Sequence, residues 1–215
     1  MPRLDMSTLP NVITVARIVL SPVVFGLLFV PTFGARSIAW LLFLIAAFSD
    51  LWDGYLARKY GWISDFGKLV DPIADKLLLV ATFIPFYLLS HRSTPATQFP
   101  LLGGLPLWIV AVIFGRELLV TIIRSIAAGR GLVIPAGREG KLKAVFQNIF
   151  IGTAIAWLAL RTAAEARGWQ GSFWDFWQAF HGFVFTTSLV IALVLTVYSL
   201  MVYLMQWRRQ IRSVT

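Results

Sequence analysis

Residues 182–207 run without one charged side chain. A helix rises 1.5 Å per residue, so about 20 such residues cross the ~30 Å hydrocarbon core of a bilayer. The rest of the chain is of the same kind. Only 13% of its 215 residues are charged and 58% are hydrophobic, where a soluble domain usually carries about a quarter charged residues. Apolar runs broken by short polar stretches predict six helices, over 11–31, 36–57, 67–89, 105–128, 141–160 and 182–207. Six spans consume most of the sequence and leave nothing for a soluble domain. The expected fold is an all-α integral membrane protein of six transmembrane helices, a single membrane domain over 1–215. The first apolar segment lacks a small-residue cleavage site, so it is read as a span rather than a removable signal.

The charges that remain are lopsided, with 19 Lys and Arg against 10 Asp and Glu. In a soluble protein a net +9 would point to nucleic acid. In a chain this apolar it points to anionic headgroups or an anionic substrate, and no nucleic-acid partner is expected. With both termini inside, only Arg36, Arg92, Arg161 and Arg167 fall on the outer side, and the other fifteen basic residues face inward. That bias fixes cytoplasmic termini. The absence of cysteine excludes disulfides, thiolate catalysis and zinc–cysteine sites. Two histidines, His91 and His181, make a His-rich metal site improbable. Trp169, Trp174 and Trp177 in the connection before the sixth span suit an interfacial aromatic belt.

Two spans are cut short. The uninterrupted apolar part of the second is 37–49, before Asp50 and Asp53, and that of the third is 77–89, after Asp71, Asp75 and Lys76. Each reaches about 20 Å, roughly 10 Å less than a full crossing. The fourth carries Arg116, Glu117 and Arg124 in its inner third. Charges at such depth cost a few kcal/mol each unless they line a polar cavity. A polar cavity open to the cytoplasm is therefore expected.

Asp50 and Asp53 are three residues apart and share a helix face, as do Asp71 and Asp75, four apart. The short link between Arg58 and Gly67 lets the two pairs converge. Four carboxylates repel one another without cations between them, and their hard oxygens suit Mg²⁺ or Mn²⁺, with two ions in one nest as in phosphoryl chemistry. Gly54 and Ala57 leave space for a ligand beside the acids. Gly67 permits a tight turn or a close phosphate. Arg58 offers a forked donor to phosphate oxygens. A solvated helix end explains one acidic pair; it does not explain four acids at this depth and spacing.

Asp50-x2-Asp53-Gly54-x2-Ala57-Arg58-x8-Gly67-x3-Asp71-x3-Asp75 resembles the signature of the CDP-alcohol phosphatidyltransferases, with no departure inside the motif. The resemblance implies an enzyme that moves the phosphatidyl group of a CDP-linked lipid to an alcohol and releases CMP. It implies Asp50, Asp53 and Asp71 as metal ligands, and Asp75 beside the metals as the general base. Gly54 and Ala57 then make room for the cytidine, Gly67 lies beside the CDP-lipid, and Arg58 holds the diphosphate. It also implies a homodimer in a bacterial inner (cytoplasmic) membrane, with the active site on the cytoplasmic side.

Within that family, 71–77 (DPIADKL) is similar to the form in phosphatidylglycerophosphate synthases and their cardiolipin-synthase relatives. Segments 9–17 (LPNVITVAR), 115–120 (GRELLV) and 140–145 (GKLKAV) with Gln147 are similar to bacterial phosphatidylglycerophosphate synthases. The acceptor this implies is glycerol 3-phosphate, a dianion near neutral pH. Arg116, Arg124, Arg138, Lys141 and Lys143 are candidates to hold its phosphate; Arg116 and Arg124, two turns apart, are expected on one face. Glu117 is expected to balance Arg116 or Lys141. Asn11, Thr14, Arg17 and Ser21 form a polar stripe on the first helix, open to two readings: contact with a nucleotide or headgroup, or snorkelling by Arg17 with the others packed. Asp65 is read as a cap. Other acceptors (phosphatidylglycerol, inositol phosphate, serine), a cation transporter using the acids as an ion path, and a structural membrane adaptor are the rival readings.

Overall fold

In the computed structural model, residues 9–60, 65–92, 94–129 and 137–212 are described; for 9–10, 50–60, 65–69, 71 and 211–212 the description covers the backbone alone. Among them the chain forms six α-helices: α1 Leu9–Phe29, α2 Phe33–Tyr60, α3 Asp65–Ser90, α4 Leu107–Gly129, α5 Arg138–Arg167 and α6 Ser172–Arg212. A 3-10 turn, Pro95–Thr97, lies between α3 and α4. No strand occurs among the described residues. Four stretches are long and apolar enough to cross a bilayer: Asn11–Phe29, Pro72–Ser90, Arg138–Arg167 and Ser172–Gln210. Phe33–Ser49 is apolar but shorter, and in α4 the charges of Arg116, Glu117 and Arg124 interrupt the run.

The distribution of side chains on α1 is inverted relative to a soluble helix. Val12, Val15, Val19 and Val23 face outward, whereas Thr14, Arg17 and Ser21 are buried. The same holds on α6, where Ser188, Thr196 and Ser199 are buried and Val190, Val194 and Val197 are exposed. Water as solvent would reverse this order; an apolar solvent favours it, because hydroxyls then find partners only inside the protein. They find them one turn back along their own helices: Ser21 Oγ donates to the Arg17 carbonyl at 2.8 Å and Ser199 Oγ to that of Thr196 at 3.1 Å.

The chain packs as two units, Met1–Gln98 with Ala154–Gly171, and Phe99–Thr153 with Ser172–Thr215. In the first, α1 packs along both α2 and α3. Its core includes Val24 and Leu28 of α1, Ala39, Phe43 and Ala46 of α2, and Phe83 and Phe86 of α3. Arg36 in the first turn of α2 donates to the Leu158 carbonyl at 3.2 Å and to Thr162 Oγ1, both on the C-terminal half of α5. Trp157 Nε1 donates to the Gln98 carbonyl at 2.8 Å.

In the second unit α4 packs on α6, with Val120, Ala127 and Tyr203 buried together. Phe185 is fully buried, stacked on Phe99 at 5.1 Å and tilted against Phe150 at 5.0 Å. Truncating such a side chain removes its contacts and leaves a cavity, so Phe185→Ala should lower stability by about 3–5 kcal/mol, seen as a lower melting temperature in detergent. An unchanged melting temperature would show that this aromatic cluster is not part of the core.

Two helix boundaries differ from the expected ones, for a local reason. α5 runs on to Arg167 rather than stopping at 160 and α6 begins at Ser172 rather than 182. Gly168 takes the left-handed conformation (φ 63°) while the Trp169 N–H reaches back to the Ala164 carbonyl at 3.0 Å. That pairing is a glycine-terminated helix end in which the last carbonyls are satisfied by the chain turning back. Trp174 and Trp177 therefore belong to α6, stacked at 4.9 Å, with Trp177 stacked on His181 at 4.6 Å. Only residues 168–171 connect the two helices.

Candidate active site

The acid signature straddles the end of α2 and the start of α3. Asp50 and Asp53 lie on α2; Asp71 and Asp75 lie on α3. The helical backbone confirms that the acids of each pair fall on one face of their helix. The side chains of Asp50, Asp53 and Asp71 lie outside the described residues, as do those of Ala57 and Arg58, and Gly54 and Gly67 are described by backbone alone. α2 is described as far as Tyr60 and α3 from Asp65.

Asp75 is described, and it is not isolated. Arg17 Nη1 donates to Asp75 Oδ1 at 2.7 Å, joining α1 to α3 across 58 positions of sequence. The pair is asymmetric: the Arg17 side chain is 2% exposed and that of Asp75 57%. Arg17 therefore does not snorkel. Its guanidinium is inside the protein, bonded to an Asp75 side chain that is more than half exposed. A buried cation is tolerated only with an anionic or carbonyl partner, so the acid and the base each explain the other's position. Thr14 and Ser21, one turn either side of Arg17, are buried on the same α1 face.

The basic candidates all lie in the second unit, and the structure separates them. Arg116 and Lys143 meet on one acid: Arg116 Nη1 donates to Glu117 Oε1 at 2.9 Å and Lys143 Nζ to the same oxygen at 2.5 Å. Lys143 is 4% exposed. Glu117 thus balances Arg116 and Lys143 rather than Lys141, which is exposed with Arg124 and Arg138. Arg116 and Arg124 do not share an environment, because eight residues overshoot two turns by about 80°. Arg116 lies close to Gly140 in the first turn of α5, its Nη2 3.6 Å from where a side chain there would begin.

Gln147, one turn beyond Lys143, is 6% exposed and its Oε1 has no hydrogen-bond partner, nor has Arg116 Nε. Arg116, Glu117 and Lys143 thus form a part-buried polar cluster, with Gln147 one turn further along α5. The sequence marked Gln147 only by local similarity, and nothing in the spacing indicated that Lys143 points inward while Lys141 points out.

The sequence profile of the CDP-alcohol phosphatidyltransferases matches residues 7–207. The chain belongs to that family. It is 39% identical over 156 residues to a protein of Mycobacterium tuberculosis named "Probable phosphatidylglycerophosphate synthase", a match covering 70% of this chain and 66% of that protein's length. It is 38% identical over 162 residues to the "CDP-diacylglycerol--glycerol-3-phosphate 3-phosphatidyltransferase" of Bacillus subtilis, covering 70% of this chain and 77% of the other. The protein of the same name from Rickettsia typhi is 37% identical over 150 residues, again 70% and 77%.

Proposed function

We propose that the chain transfers the phosphatidyl group of CDP-diacylglycerol to glycerol 3-phosphate, forming phosphatidylglycerophosphate and releasing CMP. The observation that carries this reading is Asp75: the last acid of the family signature, more than half exposed and bonded to buried Arg17. The names of the relatives supply the donor and the acceptor. The 1-hydroxyl of the acceptor attacks the lipid-side phosphorus directly and Asp75 takes its proton, with Arg17 holding the carboxylate in register. Gly54 and Ala57 leave room for the cytidine beside Gly67, and Arg58 binds the diphosphate.

A divalent metal, Mg²⁺ or Mn²⁺ and two ions on the family resemblance, fits the donor set: four carboxylates on two helices that both pack on α1. Asp50, Asp53, Asp71 and Asp75 would hold it, and when bound it neutralises the diphosphate and stabilises the leaving CMP. Arg116 and Lys143, which meet on Glu117, hold the acceptor phosphate. The protein is a single phosphatidyltransferase domain that crosses the bacterial inner membrane six times. Its termini and a polar cavity lined by the carboxylates face the cytoplasm, and it works as a homodimer.

An assay offering CDP-diacylglycerol with each acceptor in turn tests the choice of substrate. CMP release should require glycerol 3-phosphate, and indifference to it would reject the acceptor. In the same assay Arg116→Ala should raise the KM for glycerol 3-phosphate by about tenfold or more, the worth of one charge-assisted hydrogen bond, and leave that for CDP-diacylglycerol nearly unchanged. Equal effects on both would remove Arg116 from the acceptor site.

A further inference from the structure

The end of the first unit remote from Asp75 carries a second concentration of charge that phosphatidyl transfer does not use. Arg36 stands in the first turn of α2, Arg92 just beyond α3, and Arg167 at the last residue of α5. Arg92 and Arg167 lie over the aromatic residues on either side of the turn between α1 and α2, and Arg36, one turn into α2, is bonded to α5. The Arg92 guanidinium lies 5.6 Å from the ring centre of Phe29, the last residue of α1, and that of Arg167 lies 5.9 Å from Phe33, the first of α2. Arg36 is one turn past Phe33 on the same helix. Arg161 is close by on α5, engaged with the Pro95 carbonyl and the Trp157 ring.

Three features of this cluster are unexplained by packing. It sets three arginines against one exposed acid, Glu165, and among the described residues no ion pair reaches Arg36, Arg92 or Arg167. Arg36 is 2% exposed and its Nε has no hydrogen-bond partner. A ring contact engages the cation without using any of the guanidinium N–H donors, so Arg92 and Arg167 keep theirs for another group. Mutual repulsion at this turn calls for an anion, and forked in-plane donors match phosphate oxygens best.

We propose that Arg36, Arg92 and Arg167 form a phosphate-binding site around the α1–α2 turn, on the face opposite the carboxylates, whose occupant is the headgroup of an anionic phospholipid. Along α3 the site stands about 24 Å from Asp75 by helix rise. On the six-span reading that is the headgroup level of the outer leaflet. Phe29, Phe33 and Trp169 supply the apolar and aromatic surroundings of that depth, and the outward valines of α1 offer a path for acyl chains. Free phosphate has the same recognition chemistry but no use for these surroundings.

The test compares the wild-type protein with the double variant Arg92→Gln/Arg167→Gln, both exposed positions, so that the buried Arg36 and the fold are left intact. Melting temperature and native mass spectra are read in neutral detergent with phosphatidylglycerol, phosphatidylcholine or inorganic phosphate added. Phosphatidylglycerol should raise the wild-type melting temperature and remain bound, and the double variant should bind it at least about tenfold more weakly. Turnover in neutral detergent should be equal in the two proteins. A response to inorganic phosphate that matches the lipid's and is lost in the variant would keep the site but overturn the lipid as its occupant. Identical responses of both proteins to phosphatidylglycerol, or a response to phosphatidylcholine as large, would overturn the proposal.

Discussion

Asp75→Asn should reduce phosphatidyl transfer by about 10²–10⁴-fold, the usual contribution of a general base, with CDP-diacylglycerol binding largely retained. The substitution is nearly isosteric. The amide oxygen still accepts from Arg17 Nη1, so the α1–α3 contact survives and the loss is one of proton acceptance. CMP release measures the first effect and equilibrium binding of the CDP-lipid the second. Near-normal turnover would remove Asp75 from the chemistry. Loss of lipid binding in step with turnover would make it a ligand for the donor rather than a base.

Arg17→Leu should be the most damaging change on α1. Breaking a fully buried ion pair costs about 3–5 kcal/mol. The Asp75 side chain is 57% exposed and can rehydrate, so the smaller loss of about 1–3 kcal/mol for a hydrogen bond to a charged group applies. The catalytic effect should exceed the effect on stability, since Asp75 without Arg17 loses its fixed orientation. A fall in kcat at nearly constant KM for CDP-diacylglycerol is the expected signature, with partial rescue by Arg17→Lys, which restores one donor but not the fork. A raised KM with kcat unchanged would favour the other reading of the α1 stripe, contact with the nucleotide or headgroup.

That stripe shows where the sequence stops being legible. Six helices in order could be read from apolar runs, because the length of an uncharged stretch is a local property. The acid spacing could be read for the same reason. The partner of Arg17 could not: Asp75 is 58 positions away, and the choice between snorkelling and a buried ion pair is made by tertiary packing. Lys141 and Lys143 look equivalent in the sequence, yet two helical positions are about 200° apart, and only packing decides that Lys143 turns inward to Glu117. The end of α5 depended on Gly168 taking a positive φ. In the sequence this glycine stood among charges and tryptophans that read as a loop, but Trp174 and Trp177 are compatible with a helix and are carried on α6.

The donor, the acceptor and the role of Asp75 meet in a single measurement: incorporation of label from glycerol 3-phosphate into lipid by the purified protein and by Asp75→Asn. Phosphatidyl transfer with Asp75 as the base predicts lipid-borne label that requires CDP-diacylglycerol, appears one-for-one with CMP, and nearly vanishes in the variant. Label-free release of CMP by the wild-type protein, or equal incorporation by both proteins, would contradict it.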